Sequence, residues 1–394
     1  MSRFVQLHLL VSYPPSNLNR DESGRPKTAN VGDANRLRVS SQSLKRAWRT
    51  SDEFISHMPG AGEEKPDETR NKMLGKRTKK IGLEWIHSGL VDNGVDDEMA
   101  RKWSRDIIRA YGAPEGDKDD GSEKALQSGQ LVHISPAEQE KLIAFIKDVA
   151  LYLKQSVKND AVESAEKAIS ARENTKDKKK ANATLARMLA DLLLVKDVTA
   201  VDIALFGRML ASVPSYGFEA AVQVAHAFTI NKVAVEDDYF SAVDDLNRGE
   251  EDVGAAHIGE AGFGAGVFYL YLCINRELLL ENLGNDAALT AKTLEALVHA
   301  ATKVSPTGKQ NSFASRAYAA YALAEKGDQQ PRSLAQAFLK PVTGGDMLER
   351  AVNELTKRYK NFDTVYGACA DSRYQFNVEI GAGSVDELVK FVTE

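Results

Sequence analysis

The sequence predicts a mixed α+β fold, and three observations support this. Apolar residues alternate at the start of the chain, at Val5, Leu7, Leu9 and Val11, as in a strand with one buried face. Residues 56–190 instead carry long helical patterns rich in Glu, Lys and Ala, such as AEQEKLIAFIKDVALYLKQSV. Shorter alternating stretches then return and indicate further strands. Strands on both sides of a long helical segment favour an α+β architecture.

The size and composition are those of a globular protein. The chain has 394 residues, of which 43% are hydrophobic and 27% charged, which is enough for one large domain or two. No apolar run is long enough for a membrane-spanning helix, and no signal-peptide pattern opens the sequence. The two cysteines, Cys273 and Cys369, form neither a disulfide framework nor a zinc motif. We therefore expect a cytoplasmic protein with reduced thiols and no membrane partner.

Charge is distributed unevenly along the chain. The formal net charge is -5, yet the first fifty residues hold nine Lys or Arg and only three Asp or Glu. The remaining residues hold 42 basic and 53 acidic side chains. This contrast predicts a local basic surface, suited to an anionic partner, on an otherwise acidic protein.

A loop and a second strand carry part of this basic charge. The first strand is followed by YPPSNLNRDESGRPKTANVGD, whose prolines, glycines and Asn or Asp residues predict a loop. This loop carries Arg20, Arg25 and Lys27. The next stretch, NRLRV, is strand-like and adds Arg36 and Arg38. We expect the loop and the strand to direct their cations to the same region.

An amphipathic helix follows directly, with Ser40 or Ser41 as its N-cap. Its apolar stripe has the spacing of one buried helix face and comprises Leu44, Ala47, Trp48, Ser51 and Ile55. A second face carries Gln42, Lys45, Arg46 and Arg49. Hydroxyls, an amide, cations and a helix N-terminus are the groups that bind phosphates. Taken alone, the segment fits a solvated cationic face as well as it fits a phosphate site.

The second half of the chain is expected to alternate strands and helices. VTAVDIALFGRML and AAVQVAHAFTI alternate like strands, with the turn ASVPSYGFE between them. AAHIGEAGFGAGVFYLYLCINRELL is expected to be a glycine-rich loop that runs into a strand. AALTAKTLEALVHAATKV predicts a helix that leads into SPTGKQNSFASRAYAAYA, and the tail beyond about residue 340 predicts helix with short strands.

The glycine cluster does not fit a nucleotide-binding loop. Gly259, Gly262, Gly264 and Gly266 precede a strand, whereas a dinucleotide fingerprint follows a strand and opens a helix. No Walker-type Gly-Lys-Ser/Thr is present. We expect instead that the glycines allow the backbone to approach a polymer or a neighbouring subunit closely.

No catalytic or metal constellation is evident in the sequence. It has no G-x-S-x-G elbow and no Cys–His signature, and its seven histidines are scattered singly. His8, on the first strand, is expected to be a half-buried sheet histidine. The residues therefore provide no support for a catalytic site, and we expect no metal site and no cofactor.

The residues that carry the basic surface also resemble a known family. The segment HLLVSYPPSNLNRDESGRPKTANVGDANRLRVSSQSLKRAWR resembles the start of CasC, the backbone subunit of Cascade, the type I-E CRISPR surveillance complex. Further similar stretches follow in the family's order: VDIALFGRM, AVQVAHAFT, DYFSAVDDL, a segment that runs from HIG through AGVFYLY to LLENLG, and TGKQNSFA. The resemblance covers most of residues 1–55 and 196–330 and is weak elsewhere.

The resemblance implies a hand-shaped fold with an RRM-like (ferredoxin-like) palm, a helical fingers insertion and a β-hairpin thumb. Residues 1–55 would form the first part of the palm and residues 56–195 the fingers. Residues 196–235 would form the thumb and the return to the palm, and residues 236–394 the second part of the palm. Target-DNA contacts cannot be assigned to residues of the fingers, because the resemblance is weak there.

The resemblance also implies a function without catalysis. Several copies, about six, would polymerise along the spacer of a CRISPR RNA (crRNA) and bind its phosphate backbone. The thumb of one copy would displace roughly every sixth nucleotide, and the guide would remain open for pairing with target DNA in antiviral defence. Other partners would be the large, small, guide-end-capping and crRNA-processing subunits of Cascade.

By matching position, the resemblance assigns RNA contacts to particular residues. The guide phosphates would be held by Arg20, Lys27, Ser40, Gln42, Lys45 and Arg46. Arg49 on the same predicted face is a further candidate, and so are Lys309 and Gln310 in TGKQ. Arg208 and Met209 would lie at the base of the thumb.

Two other functions remain open on the sequence. One is a sequence-independent single-stranded RNA- or DNA-binding protein outside CRISPR biology. Such proteins usually stack bases on several aromatic side chains, whereas the basic helix has only Trp48, on its apolar stripe. The other is an enzyme that binds a phosphorylated small molecule, for which no general base stands near the basic segment.

Overall fold

The protein is described by a computed structural model that covers residues 2–63, 65–116, 118–157, 159–196, 200–242 and 257–394. Residues 197–199 of the predicted thumb segment and residues 243–256 of the predicted second palm part, with part of DYFSAVDDL, lie outside these ranges. The chain divides into two compact units. One comprises Met1–Pro66, Val222–Glu277 and Ala287–Glu394, and the other comprises Asp67–Ala221 and Leu278–Asp286.

The described strands are, in chain order, β1 (Phe4–Ser16), β2 (Thr28–Val31), β3 (Ala34–Val39), β4 (Lys76–Thr78), β5 (Val132–Ile134), β6 (Val222–Val224), β7 (Ala227–Thr229), β8 (Glu236–Ala242), β9 (His257–Asn275), β10 (Ala319–Gly327) and β11 (Ser372–Asn377). The described α-helices are α1 (Ser41–Arg49), α2 (Asp52–Ser56), α3 (Pro66–Met73), α4 (Ser88–Asp92), α5 (Asp97–Ile107), α6 (Pro136–Gln155), α7 (Asp160–Asn174), α8 (Lys178–Leu193), α9 (Val201–Phe206), α10 (Arg276–Asn282), α11 (Ala287–Lys303), α12 (Gln310–Phe313), α13 (Met347–Tyr366) and α14 (Val385–Thr393). A π-helix spans Ile81–His87, and short 3-10 turns occur elsewhere.

The first unit is built on an antiparallel sheet with the order β11-β10-β1-β9-β7-β3-β2, and β6 and β8 also pair with β9. The long strands β1 and β9 pair from Phe4 opposite Asn275 to Ser16 opposite Gly264. Helix α11 packs against α1, α2 and α14. A separate buried cluster of β1, β9 and β10 side chains includes Leu355 of α13. The expected mixture of strands and helices is therefore confirmed.

The second unit is mainly helical. Its buried apolar side chains come chiefly from the π-helix, from α4 to α8 and from β5, which pairs with β4 in a two-stranded sheet. Helix α6 begins with a capping box, in which Ser135 and Glu138 each bond the other's backbone amide. The predicted helical character of this region is confirmed. No helix in the described ranges is both long enough and apolar enough to cross a membrane.

Two predicted elements of the second half differ from the structure. VTAVDIALFGRML was expected to be a strand, but Val201–Phe206 forms helix α9 and all six of its residues are buried. Because every side of α9 is covered, its alternating pattern cannot distinguish a strand from a helix. Between Arg208 and Phe218 the described chain forms a loop closed by one antiparallel bridge, in place of the paired strands of the predicted hairpin.

The glycine-rich segment is also not a loop. Gly259, Gly262, Gly264 and Gly266 lie within strand β9. A Cβ at Gly264 would lie 2.9 Å from Cδ1 of Leu37, and a Cβ at Gly266 would lie 2.7 Å from Oδ1 of Asn231. The glycines therefore admit side chains of the same chain close to the strand, where we had expected a polymer or another subunit.

Candidate nucleic-acid interface

The start of α1 is fixed by side-chain hydrogen bonds. Ser40 is the N-cap, and its hydroxyl accepts a bond from the backbone amide of Ser43 at 3.3 Å. The amide of Ser40 donates to Oδ1 of Asn19 at 2.9 Å. Leu44, Ala47 and Trp48 are buried, as predicted. The helix ends at Arg49 and a second helix starts after Ser51, so the predicted stripe is divided between α1 and α2.

The loop before α1 is held in a defined shape. Its two sides meet at the bridge between Arg20 and Pro26, and the amide of Lys27 donates to the carbonyl of Asn19 at 2.8 Å. Oδ1 of Asp21 accepts bonds from the amide of Ser23 at 2.9 Å and from its hydroxyl at 2.7 Å. Since Asn19 also bonds Ser40, the loop and the start of α1 form one hydrogen-bonded assembly.

Between this loop and α1 lies a cleft of about 570 Å³, here called the clamp cleft. It is lined by Leu18, Asn19, Arg20, Asp21, Glu22, Gly24, Ser43, Arg46, Ala47, Thr50, Thr307 and Gly308. The side chains of Arg20 and Arg46 are exposed. Neither forms a salt bridge within the described part of the chain. Two guanidinium groups without a salt bridge, beside the hydroxyls of Ser43, Thr50 and Thr307, suit a phosphate, and the carboxylates of Asp21 and Glu22 line the same cleft.

The other predicted contacts on α1 lie beside the clamp cleft. Gln42 is exposed, and the Ser41 hydroxyl donates to its Oε1 at 3.4 Å. Lys45 is half-buried, and so is Lys27 at the end of the loop. Arg49 differs, because it is only 6% exposed, whereas Gln42 and Arg46 of the same predicted face are open to solvent.

Three other cations of the basic segment are engaged within the protein. Arg36 is fully buried and donates to the carbonyls of Thr229 at 2.9 Å and Phe338 at 3.0 Å. Arg25 pairs with Asp237 at 2.8 Å. Nη1 of Arg38 lies 2.6 Å from Nδ1 of His226. Burial lowers the pKa of His226, and the charges of Arg38 and Lys27 lower it further. The expected convergence of loop and strand cations therefore does not include Arg36.

The TGKQ segment reaches the clamp cleft from the other side. Thr307 and Gly308 line the cleft, and a Cβ at Gly308 would lie only 2.3 Å from the carbonyl oxygen of Leu18. Lys309 has a left-handed backbone with φ 46° and is half-buried. Nε2 of Gln310 donates to the carbonyl of Pro306 at 2.9 Å. Sequence positions almost three hundred residues apart thus meet at one cleft.

Arg208 and Met209, the predicted thumb residues, have opposite environments within the second unit. Arg208 is buried and binds both carboxylate oxygens of Glu138, at 2.5 and 2.9 Å. It also donates to the carbonyls of His133 and Tyr216. Met209 is 88% exposed. The ion pair anchors one end of the bridged loop, and the loop presents an apolar side chain to solvent.

Two of the scattered histidines meet in the structure. The rings of His57 and His299 stack with centroids 3.9 Å apart and an angle of 2° between their planes. Glu53 completes a group whose potential ligand atoms lie within 4.8 Å of one another. However, Nζ of Lys303 lies 2.7 Å from Oε1 of Glu53, and two parallel rings do not converge on one ion. We interpret this group as a polar network that joins α2 to α11.

A second cleft, which the sequence did not predict, adjoins the clamp cleft. It has a volume of about 880 Å³, shares Ala47, Thr50 and Thr307 with the clamp cleft, and is here called the adjoining cleft. Its other lining residues are Ser51, Asp52, Glu53, Lys303, Val304, Ser305, Gln310, Arg316, Ala317 and Tyr318. The signal for this cleft in the sequence is the short distance of Arg316 and Tyr318 from TGKQ.

The fold and the site together define an α+β protein with a cleft at a helix start that two exposed arginine side chains line. A family model described as CT1975-like protein matches residues 5–388, so the chain belongs to the CT1975-like protein family. A search of curated proteins found no match.

Two solved structures are similar over nearly the whole chain. One is a chain of a "CRISPR RNA-guided surveillance complex, pre-nicking", with 28% identity and a TM-score of 0.75; the match covers 99% of this chain and 100% of that one. The other is a chain of a "CRISPR RNA-guided surveillance complex", with 23% identity and a TM-score of 0.65; it covers 98% and 99% and bears on the fold alone. With the family match, the first of these likenesses supports the expected class, a Cascade-type CRISPR protein.

Proposed function

We propose that the protein is the non-catalytic backbone subunit of a type I-E Cascade complex, of the CasC kind. About six copies polymerise along the spacer of a crRNA, bind its phosphate backbone and present it for pairing with target DNA. The large, small, guide-end-capping and crRNA-processing subunits of the complex complete the assembly. The similarity to a chain of an RNA-guided surveillance complex over the full length supports this role.

The clamp cleft is the observation that carries the proposal. Arg20 from the loop and Arg46 from α1 line one cleft and form no salt bridge with the described residues, and Thr50 and Thr307 add hydroxyl groups. Ser40, Gln42, Lys45 and Lys27 lie beside it on the same loop and helix. Lys309 and Gln310 follow the two TGKQ residues that line it. These groups are suited to phosphate and sugar oxygens, which carry no sequence information.

Backbone binding is what a guide carrier requires. A subunit that accepts any guide sequence must avoid reading base edges and leave recognition to base pairing. A few phosphate contacts per copy are sufficient, because copies on one strand are linked and bind at a high effective concentration. This explains how a chain with a net charge of -5 can hold an anionic polymer.

The two units also suit the proposed parts of the subunit. Four strands of the first unit have the order β10-β1-β9-β7. Helix α1 lies in the chain between β1 and β7, and α11 lies between β9 and β10. This arrangement supports an RRM-like palm. The helices of the second unit would be the fingers, and its loop between Arg208 and Phe218, with Met209 exposed, would be the thumb.

Replacing Arg20 and Arg46 together with Ala tests the clamp cleft. We expect weaker binding of single-stranded RNA and a flatter dependence on salt, since each lost phosphate contact removes a slope of about 0.7 for single strands. The two substitutions should therefore flatten the plot of log binding constant against log salt by about 1.4. Binding isotherms over a range of salt concentrations measure this slope.

The matched control is Lys357→Ala with Lys360→Ala, which removes two exposed cations from α13, neither of which lines the cleft. This pair should leave the slope near that of the wild type. A slope that the Arg20 and Arg46 substitutions leave unchanged would remove the clamp cleft from the RNA path.

A further inference from the structure

The adjoining cleft carries two exposed side chains whose chemistry suits a nucleotide. Tyr318 is 70% exposed, and Arg316 beside it is exposed and forms no ion pair with any residue in the described ranges. Both line the cleft. A tyrosine ring offers a face for a base, and a guanidinium group binds a phosphate.

The adjoining cleft continues the clamp cleft within the first unit. Thr50 at the end of α1 and Thr307 before TGKQ line both clefts. A strand held at Arg20 and Arg46 therefore lies next to residues that also line the adjoining cleft. The volume of about 880 Å³ falls in the range of small-molecule sites and accommodates one nucleoside.

The segment that leads to Arg316 and Tyr318 contains two non-glycine residues with a left-handed backbone. Lys309 and Ala314, at the two ends of α12, both have left-handed backbones, at φ 46° and 48°. Ser305 closes the segment, since its hydroxyl bonds both the amide and the carbonyl of Ala317, at 2.9 and 3.2 Å. Non-glycine residues in this backbone region are strained and concentrate at functional sites.

The polar lining of the cleft is compatible with a nucleotide. Lys303 pairs with Glu53 at 2.7 Å and so offsets the charge of that carboxylate. Nε2 of Gln310 is bonded to Pro306, while its Oε1 is buried and has no partner among the described residues. A base amino group or a ribose hydroxyl has the donor that this oxygen lacks.

We infer that the adjoining cleft receives one nucleoside of the bound RNA, with its base stacked on Tyr318 and a neighbouring phosphate on Arg316. The inference rests on the proposed function and extends it from backbone binding to one sequence-tolerant base contact per copy. Stacking does not depend on which base is present, because every base has a π-face. It therefore does not conflict with a guide of arbitrary sequence.

The test uses the full chain and a single-stranded oligouridylate. Tyr318→Ala is expected to raise the dissociation constant by about 5- to 150-fold, the range for loss of one aromatic stack. Tyr318→Phe keeps the ring and should bind as the wild type does. The matched control is Tyr366→Ala, which removes a tyrosine that is 72% exposed and lines neither cleft. With 5-iodouridine in the probe, photocrosslinking should map to Tyr318.

The outcomes separate this inference from the proposed function. Wild-type affinity in Tyr318→Ala, together with weak binding in the Arg20 and Arg46 variant, would overturn the inference and leave the function standing. Loss of copy-to-copy association in Tyr318→Ala with unchanged RNA affinity would also overturn it, since the cleft would then hold a second copy. If the wild type binds no RNA, the proposed function itself fails.

Discussion

Single residues with small or polar side chains bring the clamp cleft together. Asn19 bonds the N-cap residue Ser40, and Gly308 lets the TGKQ segment lie against the carbonyl of Leu18. Asn19, Ser40 and Gly308 can each affect RNA binding without contacting RNA, because each fixes the position of a segment that carries a cation. The glycine provides the sharpest test of this view.

Gly308→Ala should destabilise the protein and weaken RNA binding together. The new Cβ would lie 2.3 Å from the oxygen of Leu18, so either the TGKQ segment or the loop that carries Arg20 must shift. Overpacking of this kind typically costs about 1–3 kcal/mol. Chemical denaturation and RNA-binding isotherms measure the two effects.

Gly345→Ala is the control for this substitution, because its Cβ would have no heavy atom within 4 Å. It should leave both stability and affinity close to those of the wild type. Unchanged values for Gly308→Ala would show that the two segments are not held by this contact.

For single residues, the sequence predicted the N-cap and the apolar stripe of α1 correctly, but it did not predict which cations are buried. The N-cap at Ser40 and the burial of Leu44 and Trp48 follow from local spacing, which helix geometry determines. The burial of Arg49 and Arg36 does not follow from spacing. It depends on chain segments distant in sequence, such as the carbonyls of Thr229 and Phe338 that Arg36 bonds.

Among the elements, β1 and β10 share a buried polar network. His8 of β1 lies 2.8 Å from the Tyr269 hydroxyl and 3.2 Å from Glu325 of β10, and Arg332 and Arg373 also bind Glu325. Burial alone would raise the pKa of Glu325, but the hydrogen bonds from His8 and Arg332 and the charge of Arg332 lower it. Burial lowers the pKa of His8. His8 is fully buried, deeper than the expected half-buried position.

The lowered pKa of His8 predicts a pH dependence of stability. As the pH falls below about 6.5, the unfolded chain takes up a proton that the folded protein resists, so the free energy of unfolding decreases. The contribution of one histidine is at most about 1.4 kcal/mol per pH unit. It is fully present above pH 6.5 and lost as the pH falls toward the folded-state pKa.

Denaturation of the wild type and of His8→Gln from pH 7.5 to 5.5 isolates this contribution. The variant lacks the titrating group, so its stability should decrease less over that range. Glu325 stays ionised throughout because its pKa is lowered, and it adds no slope of its own. Parallel pH profiles would mean that His8 accepts its proton equally well in the folded protein.

The elements that sequence patterns misassigned have a common physical cause. Helix α9 is buried on all sides, and β9 is a long central strand interrupted by glycines. In both, tertiary packing decides the conformation: in α9 the apolar period is lost because every face is covered, and in β9 the glycines admit the side chains of Leu37 and Asn231. The strands β1, β3, β6 and β7 were predicted from alternation and are present.

At the scale of the whole molecule, the proposed function depends on the assembly of several copies on one RNA strand. The chain is acidic overall, and Arg20 and Arg46 of its basic first segment line one cleft of the first unit. Under the proposed function, the acidic remainder would disfavour nucleic acid elsewhere and so confine binding to that path. We then expect a single copy to bind weakly and stable occupancy to depend on several copies sharing one strand.

Native mass spectrometry of the protein with single-stranded RNA of increasing length tests this claim most directly. The account predicts that copies add one at a time, each requiring a constant increment of about six nucleotides, within the range of single-strand site sizes. One copy regardless of RNA length, or no RNA binding while a mononucleotide binds tightly, would contradict the proposed backbone role.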